Sequence, residues 1–196
     1  ISIARGGTTM VPLTAAKDAA RRDRPWSDAR GLHPDVVLAF ENGTGVVLEE
    51  GPAVVYDDGG YAGEAMVPYS ARGAEVRLAF ARDLALRCRD ERRYERSLHA
   101  LRFGDRDCVE STEHRQRHRL IAESDHEEAV TVVFEIPRDP NREIAPTSAP
   151  PTETSAHAWR FAVEVPAGAT ATLEVEERWK TLSRVGLDGV ASHQVH

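Results

Sequence analysis

The stretch GPAVVYDDGGYAGEAMVPY, residues 51–69, sets Asp57, Asp58, Gly59, Gly60, Gly63 and Glu64 between two apolar runs. It suits either an acidic, glycine-rich ligand loop or the tip of a β-hairpin. A calcium loop spaces its oxygen ligands at alternating positions over about twelve residues. Here Asp57 and Asp58 are followed only by Glu64. A phosphate loop leads into a helix, whereas YAGEAMVPY has the composition of a strand, and Pro68 is unsuited to a helix interior. The stretch therefore predicts a hairpin with its tip at Asp57–Gly60 and a bulge at Gly63.

The same reading extends in both directions. DVVLAFE (35–41) is apolar and β-branched, and the Asn-Gly of NGTG (42–45) predicts a tight hairpin turn after it. AEVRLAFARDLALRC (74–88) alternates, with Val76, Leu78 and Phe80 on one side and Arg77 on the other, and reads as one strand. RYERSLHALRF (93–103) and DCVESTEHRQRHRLIAE (107–123) read as two strands joined at Gly104-Asp105, and EAVTVVFEIPR (128–138) as another. DPNREIAPTSAPPTETSA (139–156) is a Pro/Ser/Thr-rich loop expected to be exposed. HAWRFAVEVPAGATATLEVEERWK (157–180) reads as a closing hairpin turned at Pro166-Ala167-Gly168, with Trp159, Phe161 and Val163 alternating, then Leu173 and Val175. About eight or nine strands at short intervals, with no strand–helix alternation, predict an all-β antiparallel sandwich. The expected organisation is an irregular or partly helical arm over 1–34, with a helix from Ala15 to Arg22 ended by Pro25, a β-sandwich over 35–180, and a frayed tail over 181–196.

Composition narrows the functional classes. The chain has 196 residues, 41% of them apolar, and a formal net charge of -7. That balance opposes nonspecific binding to nucleic acid or anionic membranes. No apolar run approaches the roughly 20 residues of a membrane helix, so no membrane insertion is expected. Arginine outnumbers lysine 23 to 2, a bias that base composition explains better than a binding need. The opening Ile1, without a basic-then-apolar leader pattern, reads as a fragment of a longer chain. Cys88 and Cys108 lack metal-knuckle spacing and read as two half-buried thiols, with a single disulfide left open.

Several residues together resemble a known family. Asn42 and Gly45, Gly51-Pro52, Asp57 to Gly60, Tyr61 to Ala65, Pro68, Gly73 to Glu75 and Asp83 occur in an order similar to that of the C-terminal DUF4139-type β-domain of uncharacterised bacterial, mucoidy inhibitor A-like proteins. WRFAVEVPAGATATLEVEERW (159–179) fits that family's last hairpin. The likeness spans roughly residues 35–180 and is weakest over 89–128. It implies an immunoglobulin- or fibronectin-like sandwich of bacterial origin, from the cytoplasm or the cell envelope, and carries no established catalytic residues.

The strongest chemical candidate is ESTEHRQRHRLIAESDHEE (110–128), with Glu110, Glu113, His114, His118 and His126. On a helix, His114 and His118 would share a face as zinc ligands do. The flanks predict a strand, where the two imidazoles face the same way about 13 Å apart and cannot share one metal. A cross-strand partner such as His99 would be needed, and a solvated polar face is the simpler reading. No nucleophile elbow, zincin motif or phosphate loop is present, and GGTT (6–9) lacks the lysine of a phosphate loop. Asp57/Asp58 and Glu176/Glu177 are sequence neighbours, which in extended chain point to opposite faces. Eleven arginines between residues 82 and 119 are interleaved with eight acids, which predicts cross-strand ion pairs rather than a nucleic-acid groove. The sequon Asn42-Gly43-Thr44 is explained by the turn. Trp26, Trp159 and Trp179 could line a glycan platform; Trp159 alternates with Phe161 and reads as core, which leaves Trp26 the freer of the two to contact a ligand, beside the plainer reading that it staples the arm to the sandwich.

These features lead to a non-catalytic interaction or structural module that binds a protein partner or associates with itself, with no cofactor. The rivals are a metal-assisted hydrolase using His114 or His118 with Glu110 or Glu113, and a glycan binder using Trp26.

Overall fold

The structure, a computed structural model, describes residues 16–17, 19–57 and 59–186. It is an all-β chain whose sheets are antiparallel apart from one short parallel pair, Pro25–Trp26 beside Val133–Phe134, and none is closed into a barrel. The only helical element among the described residues is a single 3-10 turn at Asp28–Arg30. Two compact units form: one from Ile1–Arg24 with Asp35–Arg82, the other from Pro25–Pro34 with Asp83–His196.

In the first unit, β1 (Ala20–Asp23), β3 (Asp35–Glu41) and β6 (Glu75–Arg82) form a three-stranded sheet, with β3 in the middle. Val37 and Ala39 are buried on one side of it, and Val76 and Leu78 on the other, where they pair with Phe40 and Leu38. The expected helix over 15–22 is corrected where it can be seen. Ala20–Asp23 is a strand, because pairing with Val37–Phe40 offers the backbone more partners than a short, proline-ended helix would. Ala15 lies outside the described residues, as do GGTT and the tail beyond Gly186.

The hairpin expected over 51–69 is present. β4 (Gly51–Asp57) pairs with β5 (Gly60–Val67), and Gly59 turns at φ +79°. Its tip is tied down by an ion pair between Asp57 and Arg22, while Asp58 lies outside the described residues. The ladder slips where Val55 faces Gly63 and Tyr56 faces Tyr61, so Ala62 is the extra bulge residue and Gly63 its neighbour.

Asn42 does not turn a hairpin, because β3 pairs with β1 and β6 and never with β4. Its side chain is 1% exposed, and its Nδ2 donates to the carbonyls of Val46, Ser70 and Ala71. Asparagine here knits a loop to the Leu48–Ser70 bridge, and the positive φ falls on Gly45. An amide so enclosed is not a glycan acceptor.

The second unit is a two-layer sandwich. One layer has the order β10-β13-β8-β7 and the other β11-β12-β9-β2. β7 (Leu86–Phe103) and β8 (Asp107–Ser124) are 18 residues each, and β13 (Thr170–Gly186) is 17. β9 (Val130–Pro137) and β12 (Ala158–Val165) are eight each, β2 is Pro25–Trp26, and β10 (Glu143–Ile144) and β11 (Glu153–Thr154) are two each. The core between the layers gathers Trp26, Cys88, Leu120, Ala122, Val132, Phe134, Ile136, Trp159, Phe161, Val165 and Val175. Burying a side chain such as Phe134 contributes about 1.5–3 kcal/mol.

Three sequence expectations change here. Residues 74–88 are not one strand: the chain leaves β6 after Arg82 and enters β7 at Leu86. Asp83 marks the break by accepting from the Ala85 amide. Residues 157–180 are not a hairpin, because β12 pairs with β9 and β13 with β8. The turn at Pro166–Ala169 therefore carries the chain from one layer to the other. The segment expected to fray from 181 continues as strand to Gly186, paired with Asp107. The Pro/Ser/Thr-rich loop is mostly exposed, but Ala145 is buried, and the loop contributes an edge strand to each layer.

Candidate functional site

The strands β7, β8 and β13 alternate between two environments. Even-numbered residues of β8 and their cross-strand partners face the second layer, while the odd-numbered residues face the other way. The outward face carries the ion-pair lattice foreseen for the arginines: Arg89 with Glu123 and Glu91, Arg119 with Glu91, and Arg117 with Glu176. Such exposed pairs contribute about 0–1 kcal/mol each. Glu176 and Glu177 diverge as expected, the first to Arg117 and the second inward to His118.

Where the core ends, the inward face turns polar. His118 is 3% exposed and sits between two buried carboxylates. Its Nδ1 lies 2.8 Å from Asp90 Oδ2, and its Nε2 lies 3.4 Å from Glu177 Oε2. Arg92 donates to Asp90 at 2.6 Å and reaches Asp28, while Arg142 donates to Glu177 at 3.0 Å. Charges alternate along this row: Arg92, Asp90, His118, Glu177, Arg142. Burial alone would lower the His118 pKa, but hydrogen bonds to Asp90 and Glu177 and their negative charges prevail and raise it to about 9. Burial likewise pushes Asp90 upward, and the bonds from His118 and Arg92 outweigh it, leaving Asp90 below its ordinary value. Asp90 Oδ1 and Glu177 Oε1 are buried and have no hydrogen-bond partner among the described residues.

Beyond Glu177 the same face carries stacked rings. His114 and Trp179 lie 5.1 Å apart at 7°, and Tyr94 stacks on both at 5.9 Å. The Tyr94 hydroxyl meets His114 Nδ1, Thr181 Oγ1 meets His114 Nε2 at 2.7 Å, and the Arg142 guanidinium lies 4.2 Å over the Trp179 ring.

The structure does not bring the candidate metal ligands together. His114 and His118 share a face, as the strand reading required, but each is committed to different partners. Glu110 accepts from Thr112 on that face, while Glu113 points to the opposite face and pairs with Arg115 at 2.7 Å. His99 meets Lys180, and His126 pairs with Asp83 at 2.8 Å. Protonated His118 has no lone pair to offer a metal or a substrate. Among the described residues no group of three or more His, Cys, Asp or Glu side chains is arranged to hold a metal ion. Trp26 is not available as a contact residue. It is 2% exposed, donates to the Gly31 carbonyl at 2.7 Å and packs edge-on against Phe134.

Cys88 and Cys108 are both free and buried. They sit opposite Ala122 and Phe103, near the two ends of the long ladder, far beyond the roughly 7 Å a disulfide tolerates. Burial, aided by the charge of Asp83, pushes the Cys88 thiol to about 12, which makes it inert.

Comparison with protein-family models, curated proteins and solved structures finds no match for this chain. No helix among the described residues is long and apolar enough to cross a membrane.

The charged row gives a pH prediction. His118 binds its proton more tightly folded than unfolded, so its stabilisation is complete below about pH 6.5 and is lost as pH rises through about 9. The shift corresponds to stabilisation on the order of 3 kcal/mol. Urea midpoints measured from about pH 6 to 10 are expected to fall for the native chain and to stay flatter for His118→Gln. Asp90 acts in the opposite sense: its contribution is present above about pH 3.8 and lost as pH falls.

Proposed function

We propose that this chain is a non-catalytic interaction module that binds a protein partner, or a second copy of itself, through the far end of the β7–β8–β13 sheet. One observation carries the reading. These strands are more than twice as long as β9 and β12, and their distal third exposes large apolar side chains. Leu98, Leu101, Phe103 and Val185 are 57%, 46%, 73% and 52% exposed and share the inward-facing side of the ladder. A contiguous apolar patch of this kind marks interaction surfaces. β7 is also the margin of its sheet, with a row of backbone groups open to strand addition.

Size-exclusion chromatography with light scattering across a concentration range tests it, alongside capture from a lysate. The native chain is expected to gain mass with concentration or to retain a partner, and Leu101→Asp/Phe103→Asp to abolish this without lowering the melting temperature. A strict monomer that retains nothing would sink the proposal.

A further inference from the structure

The opposite side of the same distal sheet carries a different surface. A cleft of about 350 Å³ is lined by His99, Arg102, Val109, Ser111, Lys180 and Leu182. Its charged lining residues are all basic, in a chain whose net charge is -7. Lys180 is one of only two lysines in a chain with 23 arginines, and it lies inside the cleft. The cleft is built by the one slip in the β7–β8 ladder. Leu98 faces Thr112 and Ala100 faces Ser111, which leaves His99 as the extra residue. A bulge re-aims its side chain, and here His99 reaches over β8 to place Nε2 3.0 Å from Lys180 Nζ. An ammonium has no acceptor, so Lys180 donates and the Nε2 lone pair accepts. Small residues, Ala100 and Ser111, pair across the floor, with Leu182 as the apolar partner of Ser111 on β13. Glu113, the nearest acid in register with Lys180, is engaged by Arg115 at 2.7 Å. Arg102 forms no ion pair among the described residues.

We infer that this cleft binds a small organic phosphate. The oxyanion would sit between Lys180, Arg102 and the Ser111 hydroxyl, beside His99, with the apolar part of the ligand against Val109 and Leu182. Arginine supplies a planar fork, lysine a point charge and serine a neutral donor, a set that fits the several acceptor oxygens of a phosphate monoester. Because Arg102 and Phe103 point to opposite faces, this site and the apolar docking face are separate, and the failure of either leaves the other standing.

The test is an NMR titration of the full chain at low ionic strength, where such contacts are least screened. Phenyl phosphate, inorganic phosphate and benzoate are the three probes, and the His99 ring and Ser111 amide resonances are the readout. Phenyl phosphate is expected to saturate both signals and to bind more tightly than inorganic phosphate. Loss of one charge-assisted bond, in Lys180→Ala or Arg102→Ala, should weaken both about tenfold. Leu182→Ala should weaken phenyl phosphate alone. All of these residues are exposed or half-buried, so the variants fold. No saturable shift at about 20 mM phenyl phosphate, well above the millimolar range of modest affinities, would overturn the inference. So would benzoate binding as tightly as phenyl phosphate, or binding indifferent to Lys180→Ala.

Discussion

Replacing His118 by alanine is expected to be the most damaging change in the second unit, with a loss of roughly 3–5 kcal/mol. The imidazolium is the only cation between Asp90 and Glu177, and both carboxylates are almost wholly enclosed, with side chains 4% and 2% exposed. Each already has one oxygen without a hydrogen-bond partner among the described residues. Removing His118 takes a bond from the second oxygen of each and leaves two like charges facing each other across the space the ring filled, with the Gln116 amide, 3.2 Å from His118 Nε2, at its side. Arg92 and Arg142 remain at the ends of the row, but each touches only one of these two buried carboxylates. The energetic point is the desolvated acids, not the worth of the ion pairs themselves. A triple variant, Asp90→Leu/His118→Leu/Glu177→Leu, is therefore expected to recover most of the loss, since apolar replacement of a whole buried ionic group is often neutral or stabilising. All three tryptophans lie in this unit, and Trp26 and Trp159 are in its core, so tryptophan emission during urea unfolding reports it directly. If His118→Ala left the midpoint within the scatter of surface variants, the buried row would have no structural weight.

The alternation that makes the strands readable in the sequence says which side of a strand is buried, and it held well. Val132, Phe134 and Ile136, then Trp159 and Phe161, all enter the core as their spacing required. Alternation does not say which strand lies beside which. Pro166-Ala167-Gly168 has the composition of a hairpin turn, yet β12 and β13 belong to different layers, because a tight turn can equally pass the chain across the sandwich. The Arg82–Asp83–Leu84 break is invisible for a related reason: the residues keep alternating while the chain leaves one unit and enters the other. The site was half readable. The shared face of His114 and His118 follows from period two. The partners that decide their chemistry come from Asp90, 28 positions away, and Glu177, 59 away, and only the register of two long ladders brings them alongside. Trp26 was misjudged for want of its neighbours: a two-residue strand beside β9 carries no periodic signal, and that pairing is what buries the ring.

The hairpin that first indicated a β-fold also holds the most constrained position of the first unit. Gly63 has φ +154°, and a Cβ placed on it would lie 2.3 Å from the Phe80 carbonyl oxygen. The obstacle is backbone of β6 rather than a movable side-chain tip, so relief requires β5 and β6 to separate. Gly63→Ala combines backbone strain of about 1–3 kcal/mol with a steric term of about 1–3 kcal/mol, for an expected loss of roughly 2–6 kcal/mol. Gly45→Ala is the matched control. Its φ of +75° is also positive, but nothing lies within 4 Å of the added methyl, so it should show only the conformational penalty of about 1 kcal/mol. Amide hydrogen exchange separates the two variants without a tryptophan in this unit. In Gly63→Ala the β5 and β6 amides, Gly60–Val67 and Glu75–Arg82, should lose protection by factors of about 30 or more, at tenfold per 1.4 kcal/mol. Equal protection in the two variants would mean that the Phe80 carbonyl moves aside freely. Gly63 would then be a glycine of convenience beside the bulge, and the close approach of β5 to β6 would not be what requires glycine there.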